Sequence, residues 1–245
     1  MLEHFGISNA EINPTHISSI TGKAISQRKH VLSNLLLGGV CEDCNGGWMS
    51  DLEASNMETI KSLADLSTSL KELSEEEKFS LARWTLKTSI TLNLGSNYRK
   101  KIGDAEIQHF YKNKDTLPEN VIVVAKQVES SSPLYWLQGL PWVYEGPDTD
   151  DSEKMCALTE YGWKVGFQFR GIFLCAAFNP FDDCHFSLSN NDQTILKDTS
   201  LKTTWRSGES NKAGAENVLL SLGIGIQMIS NKSELTTQDD TCPTS

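Results

Sequence analysis

No apolar run in the 245 residues approaches the roughly 18–20 needed to cross a bilayer. The first residues, MLEHFGISNAEINPTH, have neither the basic segment nor the apolar stretch of a secretion signal. A membrane-spanning chain is therefore excluded, and the cytoplasm is the expected compartment. Positive charge is also scarce: Lys and Arg total 22 against 32 Asp and Glu, a formal net charge of -10. That sign excludes a protein that coats nucleic acid electrostatically, so any DNA or RNA contact must be local. Six cysteines in a chain this long do not make a disulfide framework; two form a single C-x-x-C and the other four are scattered. One metal or redox motif in a reducing compartment fits better. There is no second C-x-x-C and no internal repeat.

Hydrophobic residues make up 38% and charged residues 22% of the chain, the balance of a folded globular protein with one large or two small domains. Residues 1–40 are irregular, with turns at Asn13-Pro14 and Thr21-Gly22. Trp48, Leu52, Ile60, Leu63, Leu66, Leu70 and Leu73 then recur at helical spacing and predict a helix, continuous or broken, over about 48–72. Ser74 and Glu77 form a capping box. A second, antiparallel helix follows, with an apolar face at Phe79, Ala82, Leu86, Ile90 and Leu94 and with Gly95 suited to a left-handed end. A short helix is expected from Ala105 to Asn113, capped by Asp104, with Ile107, Phe110 and Tyr111 facing inward.

After residue 120 the texture changes to strands. VIVVA at 121–125, the alternating, half-buried stretch Lys164 to Arg170, and Ile172 to Phe178 beyond a turn at Gly171 carry the signal. Weaker candidates lie at 184–189 and 201–206, and 214–229 reads as a helix followed by a strand. EGPDTDDSE at 145–153 reads as an acidic loop, and the polar tail 231–245 as disordered. The expected class is α+β: a unit at 1–97 ending in a helical hairpin, then an α+β region at 98–230 with a small, mostly antiparallel sheet.

The most informative stretch is SNLLLGGVCEDCNGGWMSDLE, residues 33–53. A Cys41-x-x-Cys44 turn running into a helix aims two thiolates at one point, as a zinc knuckle does. Two free thiols or a redox pair is the alternative, although a thioredoxin-like motif would place a proline or Gly-Pro where Glu42-Asp43 stands. Two sulfurs are half a structural zinc site. The other half must come from histidines, a second chain in a shared-zinc homodimer, or sequence beyond this chain.

Residues 40–53, Val40-Cys-x-x-Cys-Asn-x-Gly-Trp-Met-Ser-x-Leu-Glu53, resemble the HNH endonucleases, in particular a bacterial and phage branch. The resemblance covers about a third of the chain, with Trp84, Lys87 and Thr88 as its downstream echo. It implies a ββα unit that grips one catalytic divalent ion, Mg2+ or Mn2+, beside a structural Zn2+ held by Cys41 and Cys44. The activity it implies is metal-dependent hydrolysis of DNA phosphodiesters. Asn45 corresponds to the last metal ligand of the motif, and Asn34 to its central, positioning asparagine. The Glu-His-x-x-Pro segment that supplies the general base in similar proteins is absent; it and a first C-x-x-C would precede Met1. The expectation is therefore a fragment or a natural copy lacking its base. The alternative is a non-catalytic knuckle module that binds a partner.

His16 and His30 are the histidines near the knuckle and the candidates for a substitute base; on a strand His30 would share a face with Asn34. Trp48, Met49 and Leu52 are expected as core anchors, and Asn45 would also serve as a helix cap. Cys156, Cys175 and Cys184 are expected as buried small hydrophobes, with His109 at the surface and Cys184-His185 on opposite strand faces. Arg28-Lys29 and Arg99-Lys100-Lys101, with Lys112 and Lys114, are the basic concentrations, either solvated or in contact with phosphate.

Overall fold

A computed structural model describes residues 11–12, 15–17, 24–27, 30–31, 40–95, 100–130, 134–146, 151–188, 194–196 and 215–231. Asn34, the strand expected at 201–206 and the tail from 232 onward lie outside these residues, as do Arg28, Lys29 and Arg99. The segment read as irregular contains short antiparallel ladders. Strand β1 (Glu11–Ile12) pairs with β4 (His30–Val31), and β2 (Thr15–Ile17) pairs with β3 (Ala24–Gln27).

Helix α1 (Glu42–Gly46) and helix α2 (Trp48–Ala64) follow, separated by Gly47. The expected helix to residue 72 is broken. Leu66 takes φ 59, the left-handed conformation that stops a helix, and a separate 3-10 turn spans Leu70–Glu72. Helix α3 (Glu75–Gly95) starts at the capping box: Ser74 N–H donates to Glu77 Oε2 at 2.8 Å and Glu77 N–H to Ser74 Oγ at 3.2 Å. Gly95 is helical, not left-handed, and Phe79 is exposed, both contrary to expectation. Helices α2 and α3 run antiparallel: Asn56 Nδ2 donates to Ser80 Oγ at 2.9 Å, while Glu53 pairs with Lys87 farther along. Helix α4 (Asp104–Lys112) is capped by Gly103 rather than Asp104, and its Tyr111 is exposed rather than inward.

A five-stranded sheet forms the centre, in the order β11 (Thr194–Ile195), β5 (Val121–Gln127), β9 (Ile172–Phe178), β8 (Trp163–Phe169), β6 (Leu134–Gln138), antiparallel throughout. The strand at β6 was not foreseen. Neither was helix α5 (Asp151–Tyr161), which begins inside the stretch read as an acidic loop. At the β8–β9 turn the left-handed residue is Arg170 (φ 46), not Gly171. Helix α6 (Ala215–Gly225) leads into β12 (Ile226–Ser230), which pairs antiparallel with β10 (Cys184–Leu188) and parallel with β7 (Tyr144–Glu145).

All seven residues of β8 are buried, so the half-buried reading is corrected. The period of two along a strand explains how. Val165, Phe167 and Phe169 join Trp84, Leu86 and Ile90 in a core under the helical hairpin, whereas Phe173 and Cys175 of β9 join Leu219, Leu222 and Met228 in a second core on the other face. With both faces covered, Lys164, Gly166 and Gln168 of β8 fall on the buried side that the alternation had assigned to solvent. Gly166 and Gly223 let α6 approach closely: a Cβ at Gly223 would sit 2.6 Å from Leu140 Cδ1. Cys175 and Cys184 are buried, as expected, but Cys156 on α5 is exposed. Among the described residues no helix is long and apolar enough to cross a membrane.

A candidate metal knuckle at the head of the helical hairpin

Cys41 is the N-cap of α1, and its sulfur accepts the Cys44 N–H at 3.3 Å. The one-turn helix carries Cys44 back toward it, so the two sulfurs lie 2.8 Å apart and share a thiol hydrogen bond. That is well beyond a disulfide bond of about 2.05 Å; both thiols are free, Cys41 exposed and Cys44 half-buried. The chain reverses after α1 at Gly47, where a Cβ would meet Asp43 O at 2.6 Å. Only glycine fits so tight a break, and it places Trp48 at the first position of α2, beside the knuckle it has just left.

Helix α4 closes the other side. The Trp48 and Phe110 rings meet edge to face at 5.8 Å, and Tyr111, the next residue, is exposed within electrostatic reach of Cys44. Asn93, fully buried on α3, anchors the approach to α4. Its Oδ1 accepts the N–H groups of Lys101 at 2.7 Å and Ile102 at 3.1 Å, and its Nδ2 donates to Ile102 O at 3.1 Å.

The pair of thiols is electrostatically unequal. Hydrogen bonds from the Cys44 thiol and then from the Cys44 N–H pull the Cys41 pKa below its ordinary value. Sharing its proton with Cys41, then burial, raises Cys44, while the Trp48 indole and the Tyr111 hydroxyl act on it in the opposite sense. Tyr111 in turn is raised by the negative charge that Cys44 can carry. A thiophilic metal ion displaces the protons of both thiols when two such sulfurs ligate it.

No family model, curated protein or solved structure matches this chain. The knuckle must be read on its own chemistry.

Asn45 is exposed on α1, adjoining Cys44, and its N–H donates to Cys41 O at 3.0 Å. It caps neither helix: Cys41 caps α1 and Gly47 precedes α2. His16 stands opposite Ser26 in the β2–β3 ladder and His30 opposite Ile12 in the β1–β4 ladder. Among the described residues no three His, Cys, Asp or Glu side chains gather at one point, and the two knuckle sulfurs are fewer than the four ligands a structural zinc takes. Cys184 and His185 do not combine into a second site. The Cys184 thiol is raised to about 11 by burial and then by Asp183, and the His185 ring meets Asn231 Oδ1 at 2.8 Å. Met49 and Leu52 are buried anchors below the knuckle, and Trp48 packs against the same core.

Sequence reasoning did not foresee Tyr111, Phe110 and Asn93 as parts of this site. They lie 49 to 67 residues beyond Cys44 on other helices, and no local spacing marks them. It also missed Lys164, fully buried in β8, whose ammonium donates to Gly223 O and Ile226 O at 2.6 Å and to Pro141 O at 2.9 Å. The Trp142 ring lies 4.2 Å below it. Three carbonyls absorb all three ammonium protons; Gly223 lies in the last turn of α6, where the helix dipole favours a cation, and Ile226 opens β12 directly after it. Burial lowers the Lys164 pKa to about 8, and lifts that of neighbouring Cys175 to about 12.

Proposed function

We propose that this chain is an HNH-endonuclease-like protein in which Cys41 and Cys44 hold structural zinc and Asn45 faces a catalytic Mg2+ or Mn2+. The observation that carries the reading is the knuckle itself: two free sulfurs 2.8 Å apart, one of them open to solvent, with Asn45 exposed on the same turn. The order of antiparallel ladders, knuckle and long helix supports it, since a ββα unit needs that succession. The implied reaction is hydrolysis of a DNA phosphodiester. When bound, the divalent ion offsets charge that builds on the phosphate and the leaving oxygen. Asn45 offers it an amide oxygen, a ligand suited to hard cations. Asn34 orients the base, and His30 or His16 takes the proton from the attacking water if this chain is complete in itself.

Supercoiled plasmid incubated with the protein and Mg2+ or Mn2+, beside Asn45→Ala, tests the catalytic part. Relaxation that Asn45→Ala abolishes supports it; a folded protein that leaves the plasmid intact sinks catalysis by this chain and favours the second reading, a non-catalytic zinc module that binds a partner. Metal content tests the knuckle. About one zinc per chain supports a site completed within the chain, about half supports a homodimer sharing one ion, and none removes the zinc.

A further inference from the structure

Between α3, α4 and one end of the central sheet lies a pocket of about 290 Å³. The sheet reaches it where three strand ends stand side by side, Val121 of β5 opposite Phe178 of β9 and Phe178 opposite Trp163 of β8. Its walls are apolar: Leu86 and Ile90 come from α3 and Phe110 from α4, while the Trp163 and Phe178 rings stack at 5.7 Å and 7°. Trp163 is 2% exposed and its Nε1 is buried without a hydrogen-bond partner. This wall is not finished core, in which such a donor is normally paired. An engineered cavity of about 150 Å³ takes up benzene. A space about twice that size has room for one ring and a short chain.

The mouth is polar. Glu106 and His109 stand one turn apart on α4 and so share the face that lines it, with exposed Asn120 also at the rim. The Glu106 carboxylate is folded over the start of its own helix, since a Cβ on the N-cap Gly103 would meet Glu106 Oε2 at 2.7 Å. The helix dipole favours negative charge there. Among the described residues Glu106 makes no ion pair. An apolar ring seated on the walls therefore leaves the other end of its molecule beside a carboxylate that lacks a counter-charge.

We propose that this pocket binds a small aromatic amine, with its ring against Ile90, Phe110 and the stacked Trp163 and Phe178, and its ammonium at the mouth beside Glu106. A neutral molecule of the same shape gains nothing from the carboxylate, and an anion is repelled by it. Cys41 and Cys44 take no part in the lining, so metal at the knuckle is not required.

The test follows full-length, isotope-labelled protein by nuclear magnetic resonance as it is titrated with phenethylamine, with its neutral analogue phenylethanol and with the anion phenylacetate. The indole N–H resonance that Trp163→Phe removes reports on the pocket wall. Phenethylamine should bind with a dissociation constant of about 0.1–1 mM, the range open to so small a ligand. Phenylethanol should bind about 5-fold more weakly, as a partly solvated charge pair warrants, and phenylacetate more weakly still. Glu106→Gln should cost the amine that 5-fold and leave the alcohol unchanged. Ala105→Phe, at an exposed position on the rim, fills the mouth and should block all three compounds. Phenylethanol or phenylacetate bound as tightly as the amine, or an amine preference that Glu106→Gln leaves in place, overturns the cationic ligand. A Trp163 resonance that none of the compounds moves at about 10 mM, or binding that survives Ala105→Phe, overturns the pocket as a site.

Discussion

Replacing Lys164 by Met should destabilise the protein by an amount that grows with pH. Lys164 is fully buried, and burial holds its pKa at about 8 instead of 10.5. At about 1.4 kcal/mol per pH unit, carrying the charge into the core costs about 3 kcal/mol at neutral pH. Against that cost stand the three carbonyl hydrogen bonds that the ammonium makes. Met fills the space without the charge but leaves Pro141 O, Gly223 O and Ile226 O without their donor. Each buried acceptor so stranded costs about 1–3 kcal/mol. The net expectation at pH 7 is a loss of about 3 kcal/mol, which for a chain of this size lowers the melting temperature by roughly 6–12 °C.

The pH dependence follows from the direction of the Lys164 change. Because the folded pKa lies below the unfolded one, between about pH 8 and 10.5 the native state releases a proton that the unfolded chain keeps, and stability rises with pH through that window. Below about pH 8 both states are protonated and this slope vanishes. By about pH 9.5 the wild type gains about 2 kcal/mol from this group that Lys164→Met cannot gain. Urea unfolding of both proteins at pH 7, 8.5 and 9.5 isolates the effect, since every other titrating group is common to the two. A stability gap that stays level or narrows as pH rises refutes the reasoning; narrowing would mean that the three carbonyls hold the proton more firmly than burial expels it.

Further outcomes can be measured the same way. Asn93→Ala strands the amides of Lys101 and Ile102 and the carbonyl of Ile102, and should cost about 2–4 kcal/mol. If Asn93 sets the approach to α4, the variant should also alter Trp48 fluorescence, and an unchanged spectrum would count against that link. Glu53→Gln leaves Lys87, 4% exposed, without its counter-charge. With the carboxylate itself partly solvated, a loss of about 1–2 kcal/mol in denaturant unfolding is expected. Ser74→Ala removes the side-chain half of the α3 capping box, the Oγ that accepts from Glu77 N–H, and should cost about 1 kcal/mol, with no change in metal uptake.

Where the sequence carried a local physical rule, it was enough to place the element. The Ser74–Glu77 box starts α3, the three- and four-residue apolar steps make α2 and α3, and the β-branched run at 121–125 is a strand, because capping and periodicity act within a few residues. The turn of Cys41-x-x-Cys44 was legible for the same reason. What surrounds that turn was not: Phe110 meets Trp48 because α4 packs against the head of the hairpin, with Asn93 of α3 holding the segment that leads into α4, contacts between segments far apart in the chain. The period of Lys164 to Phe169 is that of a strand with one wet face, yet α6 and the β10–β12–β7 sheet cover that face. Alternation fixes which residues share a side. Only the packing of the remaining elements decides whether that side meets water, and here it leaves a lysine in the core with three carbonyls to hold it.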